Sequence, residues 1–212
     1  MLEGFITTIF LLTVLLFSVI IHELAHGWVA YSLGDPTAKY EGRLTLNPLK
    51  HLDFFGSIIL PFFLYLWGSS FVVGWAKPVP VNTYNFRNKK LGELKVSIAG
   101  PLSNILLAVI FGLILRFIPE NTNLLSSGFL VALVFIVNIN IWLALFNLIP
   151  IPPLDGSWIL FNLLPDKFEY FKNLLRQYGV IILIILIFSG GSWWSAITNA
   201  FFQLITGRTL LT

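Results

Sequence analysis

Five stretches of this chain carry no charged residue: 4–21, 54–76, 96–115, 121–154 and 177–207. Each approaches or exceeds the roughly 18 to 20 residues that a helix needs to cross a bilayer. In lipid the backbone must satisfy its own hydrogen bonds, so runs of this length fold as helices or stay covered by protein. That one pattern predicts an all-α polytopic membrane protein.

Composition agrees. Only 11% of the 212 residues are charged, against about 25% in ordinary globular chains. The net charge of +3 is read through the positive-inside rule, because the basic residues cluster in short segments between apolar runs. No nucleic-acid partner is expected. Cysteine is absent, which excludes a disulfide framework, a thiolate nucleophile and a Cys-ligated metal. The N-terminal Met-Leu-Glu-Gly lacks a basic n-region, so the first apolar run is expected to be retained. Residues 1–212 are expected to form a single integral-membrane domain, with a core over 1–164 and an amphipathic then hydrophobic stretch over 165–212.

The first uncharged run ends in His22-Glu23-Leu24-Ala25-His26. On a helix, residues i and i+4 share a face, so His22 and His26 can bind one Zn²⁺ between them. Glu23 can then serve as general base toward a water that the metal activates. If the helix ends at Gly34-Asp35-Pro36, the two histidines lie roughly 10 to 16 Å in from that end. Ionisable groups at that depth are functional candidates by default.

Two histidines are too few for zinc, and the only other histidine is His51. A carboxylate is the expected third ligand. Asp155 is the acidic residue that adjoins a long apolar run just after the helix break Asn147-Leu-Ile-Pro-Ile-Pro-Pro-Leu. If it meets the histidine pair, the helix ending near Asn147 must run parallel to the first. The helix expected over 96–118 must run antiparallel between them. Segment 54–76 must then leave and return on one side, as a re-entrant loop. Alternation in Thr37–Leu46 predicts a short hairpin. The prolines of Lys77-Pro78-Val79-Pro80 forbid a helix and predict an extended edge. This region, about 35–82, carries much of the basic charge. Eight of the 13 Lys and Arg fall in 35–53 and 77–95, which places that side, and the active site nearer it, in the cytoplasm, with the N-terminus outside.

The membrane HExxH pentad, Ala99-Gly-Pro-Leu-Ser-Asn104, and Asn147 through Leu154-Asp155-Gly156 together resemble the site-2 protease family of intramembrane zinc metalloproteases. Asn47-Pro-Leu-Lys-His-Leu-Asp53 and Gly74-Trp-Ala-Lys-Pro-Val-Pro-Val-Asn82 are similar to its minimal prokaryotic branch, without PDZ or CBS domains. Phe54 stands where that branch has proline, which touches only local turn geometry. The resemblance implies a three-helix catalytic core with peripheral helices. It implies His22, His26 and Asp155 as ligands of one Zn²⁺ and Glu23 as general base. Asn147, and second to it Asn104, are the implied oxyanion donors. The implied substrates are single-pass transmembrane proteins, such as membrane-anchored regulators.

Plainer roles exist for each residue. Asp155 can be a helix N-cap, and Asn147, Asn104, Asn138 and Asn140 can be interhelical hydrogen bonders. His51 is expected to serve a turn. A transporter would use a histidine pair in a metal or proton path, but it would show repeated halves or more intramembrane acids. A di-iron oxygenase lacks ligands here, and a noncatalytic zinc-binding membrane protein would not require Glu23.

Overall fold

The structure, a computed structural model, describes residues 2–67, 76–118, 127–189 and 191–209. Among the described residues eight α-helices follow one another: α1 (Leu2–Ser32), α2 (Thr37–Tyr40), α3 (Leu60–Leu66), α4 (Lys89–Phe117), α5 (Ser127–Asn147), α6 (Asp155–Leu163), α7 (Glu169–Ser189) and α8 (Gly191–Thr206). Four stretches, Ile6–Ser32, Lys89–Phe117, Gly128–Asn147 and Asp166–Ile187, are long and apolar enough to cross a membrane. The chain is a multi-pass membrane protein.

Helix α4 is the hub of the bundle, packed on α1, α5, α6 and α8. Its register with α1 follows from polar contacts: His22 meets Asn104, and His26 meets Val96. As α1 advances, α4 recedes, so the two are antiparallel. Asn140 on α5 meets Ser18, and Asp155, just past the end of α5, meets His22 and His26. Helix α5 therefore runs parallel to α1, as the ligand argument requires. Away from the site, Ala108, Leu115, Leu133, Val137, Ile141 and Phe202 form a buried apolar cluster that ties α4 and α5 to α8.

Two expectations need correction. Thr37–Leu46 is not a hairpin: it forms the single helical turn α2 and then a turn at Gly42. Asp35 takes the backbone N–H of Thr37, and α2 closes its own carbonyls with Glu41 and Gly42; local bonds of this kind compete with strand pairing. Among the described residues the only β-pairing is one antiparallel bridge, Leu52 with Ala76. Helix α4 starts at Lys89, capped by the Asn88 side chain on Leu91 N–H, so its basic first turns are helical and not loop. The last apolar run, 177–207, where the sequence leaves one helix or two open, holds the end of α7 and all of α8, which begins at Gly191.

The Leu52–Ala76 bridge, reinforced by Lys77 N–H to His51 O at 2.8 Å, sets the two ends of run 54–76 side by side. Between them lie a π-helical stretch, Phe54–Ile59, and α3. The Gly68-Ser69-Ser70 and Gly74-Trp75 features fall outside the described residues.

Candidate active site

The site is assembled from four segments. His22 and His26 lie on consecutive turns of α1, with Nε2 atoms 3.1 Å apart. Pro150, Pro152 and Pro153 prevent α5 from continuing, and the chain turns to start α6 at Asp155. That places Asp155 Oδ2 3.1 Å from His22 Nε2 and 3.3 Å from His26 Nε2. Three ligand atoms thus form a nearly equilateral triangle. A tetrahedral site with bonds of about 2.0 to 2.1 Å needs neighbouring ligand atoms about 3.3 Å apart.

The hydrogen-bond network shows which atoms carry protons. Asn104 Nδ2 donates to Ser18 O at 3.3 Å and to Asn140 Oδ1 at 2.8 Å, and Asn140 Nδ2 donates to Ser18 Oγ at 3.0 Å. A backbone carbonyl can only accept, so the Asn104 amide is oriented with Oδ1 toward His22. His22 Nδ1 lies 2.6 Å from that oxygen and is the protonated nitrogen. His26 Nδ1 likewise donates to Val96 O at 2.7 Å. Both Nε2 atoms therefore present lone pairs, and buried Asp155 Oδ2 receives no hydrogen bond. Three acceptors facing one another in a buried site are unfavourable by themselves. One proton could serve one edge of the triangle, whereas a cation serves all three corners.

Helix α4 packs closely against the triangle. Where α4 crosses the triangle its residue is Gly100, and an added Cβ would collide with Nε2 of both His22 and His26. The close approach of α4 is possible because that residue has no side chain.

Glu23 stands beside the triangle. Its Oε2 accepts the backbone N–H of Val79 at 2.8 Å. Val79 belongs to the extended segment 76–82, here called the strap. The strap can lie this close because Gly27, one turn on from Glu23, has no Cβ: an added one would come within 2.9 Å of Val79 Cγ1 and 2.6 Å of Leu44 Cδ2. The triangle, Glu23 and the strap open on a cleft of about 560 Å³, whose walls include Asn147, Glu93, Val81 and Trp158. That volume falls within the roughly 300 to 1,000 Å³ typical of ligand sites.

The arrangement, an HExxH helix with a carboxylate from the start of α6, agrees with the sequence comparisons. The profile of peptidase family M50 matches residues 10–120 and 115–186. The chain belongs to peptidase family M50. "Putative zinc metalloprotease YwhC" of Bacillus subtilis is 41% identical over 181 residues, 84% of this chain and 79% of its own. "Putative zinc metalloprotease Rip2" of Mycolicibacterium smegmatis is 30% identical over 191 residues, 90% of this chain and 69% of its own. "Putative zinc metalloprotease MJ0611" of Methanocaldococcus jannaschii is 32% identical over 147 residues, 66% of this chain and 63% of its own. No solved structure matches the chain. Membership in M50 bears out the resemblance to the site-2 proteases.

In this M50 chain the residues singled out from sequence do not all occupy the same place. His22, His26 and Asp155 converge, and Glu23 and Asn147 line the same cleft. The Asn147 amide donates to Leu143 O of its own helix at 3.0 Å. Asn104 is fully buried behind His22, with its amide committed to His22, Asn140 and Ser18. His51 is buried in the loop, where its ring nitrogen Nε2 lies 2.8 Å from Thr45 O. Ser18, Gly100, Val96 and the Val79 amide were missed. Ser18 carried a signal, since it continues the His22–His26 spacing as one polar row on an apolar helix. The Val79 amide carried none, because a backbone group has no side-chain signature.

Proposed function

We propose that the protein is an intramembrane zinc metalloprotease that hydrolyses peptide bonds in or near transmembrane segments of single-pass membrane proteins, such as membrane-anchored regulators. The observation that carries this reading is the triangle of His22, His26 and Asp155 beside Glu23, within a bundle that has four helices of membrane-spanning length. The donor set of two imidazoles and one carboxylate suits Zn²⁺, the metal in the relatives' names. When bound there, zinc supplies a Lewis acid that polarises the substrate carbonyl and acidifies water.

The protein's own groups do the rest. Asn104 and the Val96 carbonyl hold the two imidazoles in one tautomer, so their Nε2 lone pairs point inward without reorganisation. Glu23 takes the proton from the attacking water as its oxygen adds to the scissile carbonyl. It then delivers that proton to the amide nitrogen as the C–N bond breaks. Asn147 uses one amide hydrogen on Leu143 O and has a second to offer the developing oxyanion. Asn104 acts through His22.

A peptide bond inside a substrate helix is shielded, so the substrate must enter extended. The strap is the surface for it. Pro78 and Pro80 have no N–H, and the Val79 N–H is given to Glu23. A substrate strand lying there would donate its own N–H groups to strap carbonyls. The charge distribution of 35–53 and 77–95 supports a site nearer the cytoplasmic side.

The test is Glu23→Gln, compared with wild type on co-expressed single-pass regulators. Lost cleavage with zinc retained is the expected result. Cleavage at the wild-type rate by that variant would overturn the mechanism.

A further inference from the structure

Arg43 lies in the loop after α2 and is 5% exposed. Its guanidinium donates to Lys50 O, to Lys77 O at 2.8 Å and to Pro78 O at 3.1 Å. Among the described residues the ion pairs involve His22, His26, Lys172 and Arg176, so Arg43 is buried with carbonyl oxygens in place of a counterion. A buried cation without a carboxylate is costly. The cost is met by bonds to two separate segments, the 47–53 loop and the strap.

One of those carbonyls is decisive. Pro78 C=O and Val79 N–H belong to the same peptide group, which is planar and rigid. Its oxygen end is gripped by the Arg43 cation, and its N–H end binds the Glu23 carboxylate at 2.8 Å. The order is guanidinium, carbonyl, amide, carboxylate, so a positive and a negative group align one peptide dipole from opposite ends. Aligned hydrogen bonds of this kind polarise and strengthen one another in a low-dielectric interior. The far end of the strap is also latched: Asp35, fully buried, accepts Asn82 N–H and Asn85 Nδ2, both at 2.7 Å.

We propose that Arg43 is a positioning residue for the reaction, fixing Glu23 through the Pro78–Val79 peptide that it grips. The inference rests on the proposed role of Glu23. It goes beyond that role by making the general base depend on a side chain 20 residues away in sequence that never touches the cleft. The guanidinium fork, and not charge alone, is what the geometry uses, so lysine is a poor replacement.

The experiment measures kcat, KM and zinc content of purified Arg43→Lys, Arg43→Ala, Val79→Pro and the Arg43→Ala/Val79→Pro double variant on one transmembrane substrate. Val79→Pro deletes the N–H that touches Glu23. Arg43→Lys and Val79→Pro should each lower kcat on the order of tenfold or more, as misplacement of a reacting group does. The fall in kcat should exceed any rise in KM, and zinc should be retained. The double variant should be no slower than its slower parent, because both changes break one chain of contacts. Multiplying losses in the double variant would overturn the proposal. So would wild-type kcat in Arg43→Lys, or a loss confined to KM or to zinc content. If Arg43→Ala does not fold, Arg43→Lys carries the same cycle. Glu23→Gln assayed alongside separates the two levels: if it cleaves like wild type, the role of Glu23 fails and the positioning role of Arg43 with it, whereas an inactive Glu23→Gln beside wild-type kcat in Arg43→Lys overturns the Arg43 proposal alone.

Discussion

Asn104 Oδ1 accepts the Nδ1–H of His22 at 2.6 Å, and this bond fixes which nitrogen of His22 faces His26 and Asp155. The bond is itself fixed from behind, since the Asn104 amide is held by Ser18 and Asn140. The orientation of His22 is therefore set by a polar chain that runs through α1, α4 and α5.

Asn104→Ala should weaken zinc binding by about 10- to 100-fold, the usual cost of removing such a partner. Competition with a chromophoric chelator measures it. Unchanged affinity would mean that the network serves packing alone.

Gly100→Ala tests the space that α4 leaves. An added Cβ would collide with Nε2 of both histidines, so the variant should fold but contain little or no zinc. Full zinc occupancy by elemental analysis, in a protein with native helicity, would contradict the assignment.

Asp35 gives a pH prediction. Burial alone would raise its pKa, but hydrogen bonds from the Thr37 hydroxyl, Asn85 and the Asn82 and Thr37 amides outweigh it and hold the carboxyl below its ordinary value. A depressed folded-state pKa stabilises the fold fully above the ordinary carboxylate pKa of about 4, and that contribution fades as pH falls through the lower folded value. Asp35→Asn should therefore have a lower Tm than wild type at pH 7, with the gap closing under strongly acidic conditions. A gap independent of pH would show that shape, not charge, matters at this latch.

The bridged ends of 54–76 make a prediction about topology. Single cysteines at Ser69 and Arg87, introduced into a chain with no native cysteine, should label from the same side of the membrane. Labelling from opposite sides would show that 54–76 crosses.

The meeting of His22, His26 and Asp155 was legible because its parts obey short-range rules. The i, i+4 spacing puts His22 and His26 on one face, and the paucity of other ligands leaves Asp155. Parity then orients α1, α4 and α5. The hairpin expected at Thr37–Leu46 failed for a local reason. Alternation predicts a strand only if a partner edge exists, and here Asp35 and the turn at Gly42 satisfy the backbone within the loop. The start of α4 was missed because lysines at a helix N-terminus oppose the dipole, and the Asn88 cap and packing of Val96 on α1 override that preference.

Residue types and their spacing along the chain were enough to specify a helical membrane bundle and the three side chains that meet in it. Apolar runs demand helices in lipid, and ligand chemistry restricts which polar residues can share a metal. The long-range contacts came only from the folded chain. That Asn104 serves His22 from behind, that Gly100 makes room for the two imidazoles, and that Arg43 reaches Glu23 through the Pro78–Val79 peptide depend on distances between segments remote in sequence. Two of those three relationships run through a backbone group or a missing Cβ, and neither has a side chain that a sequence pattern can reveal.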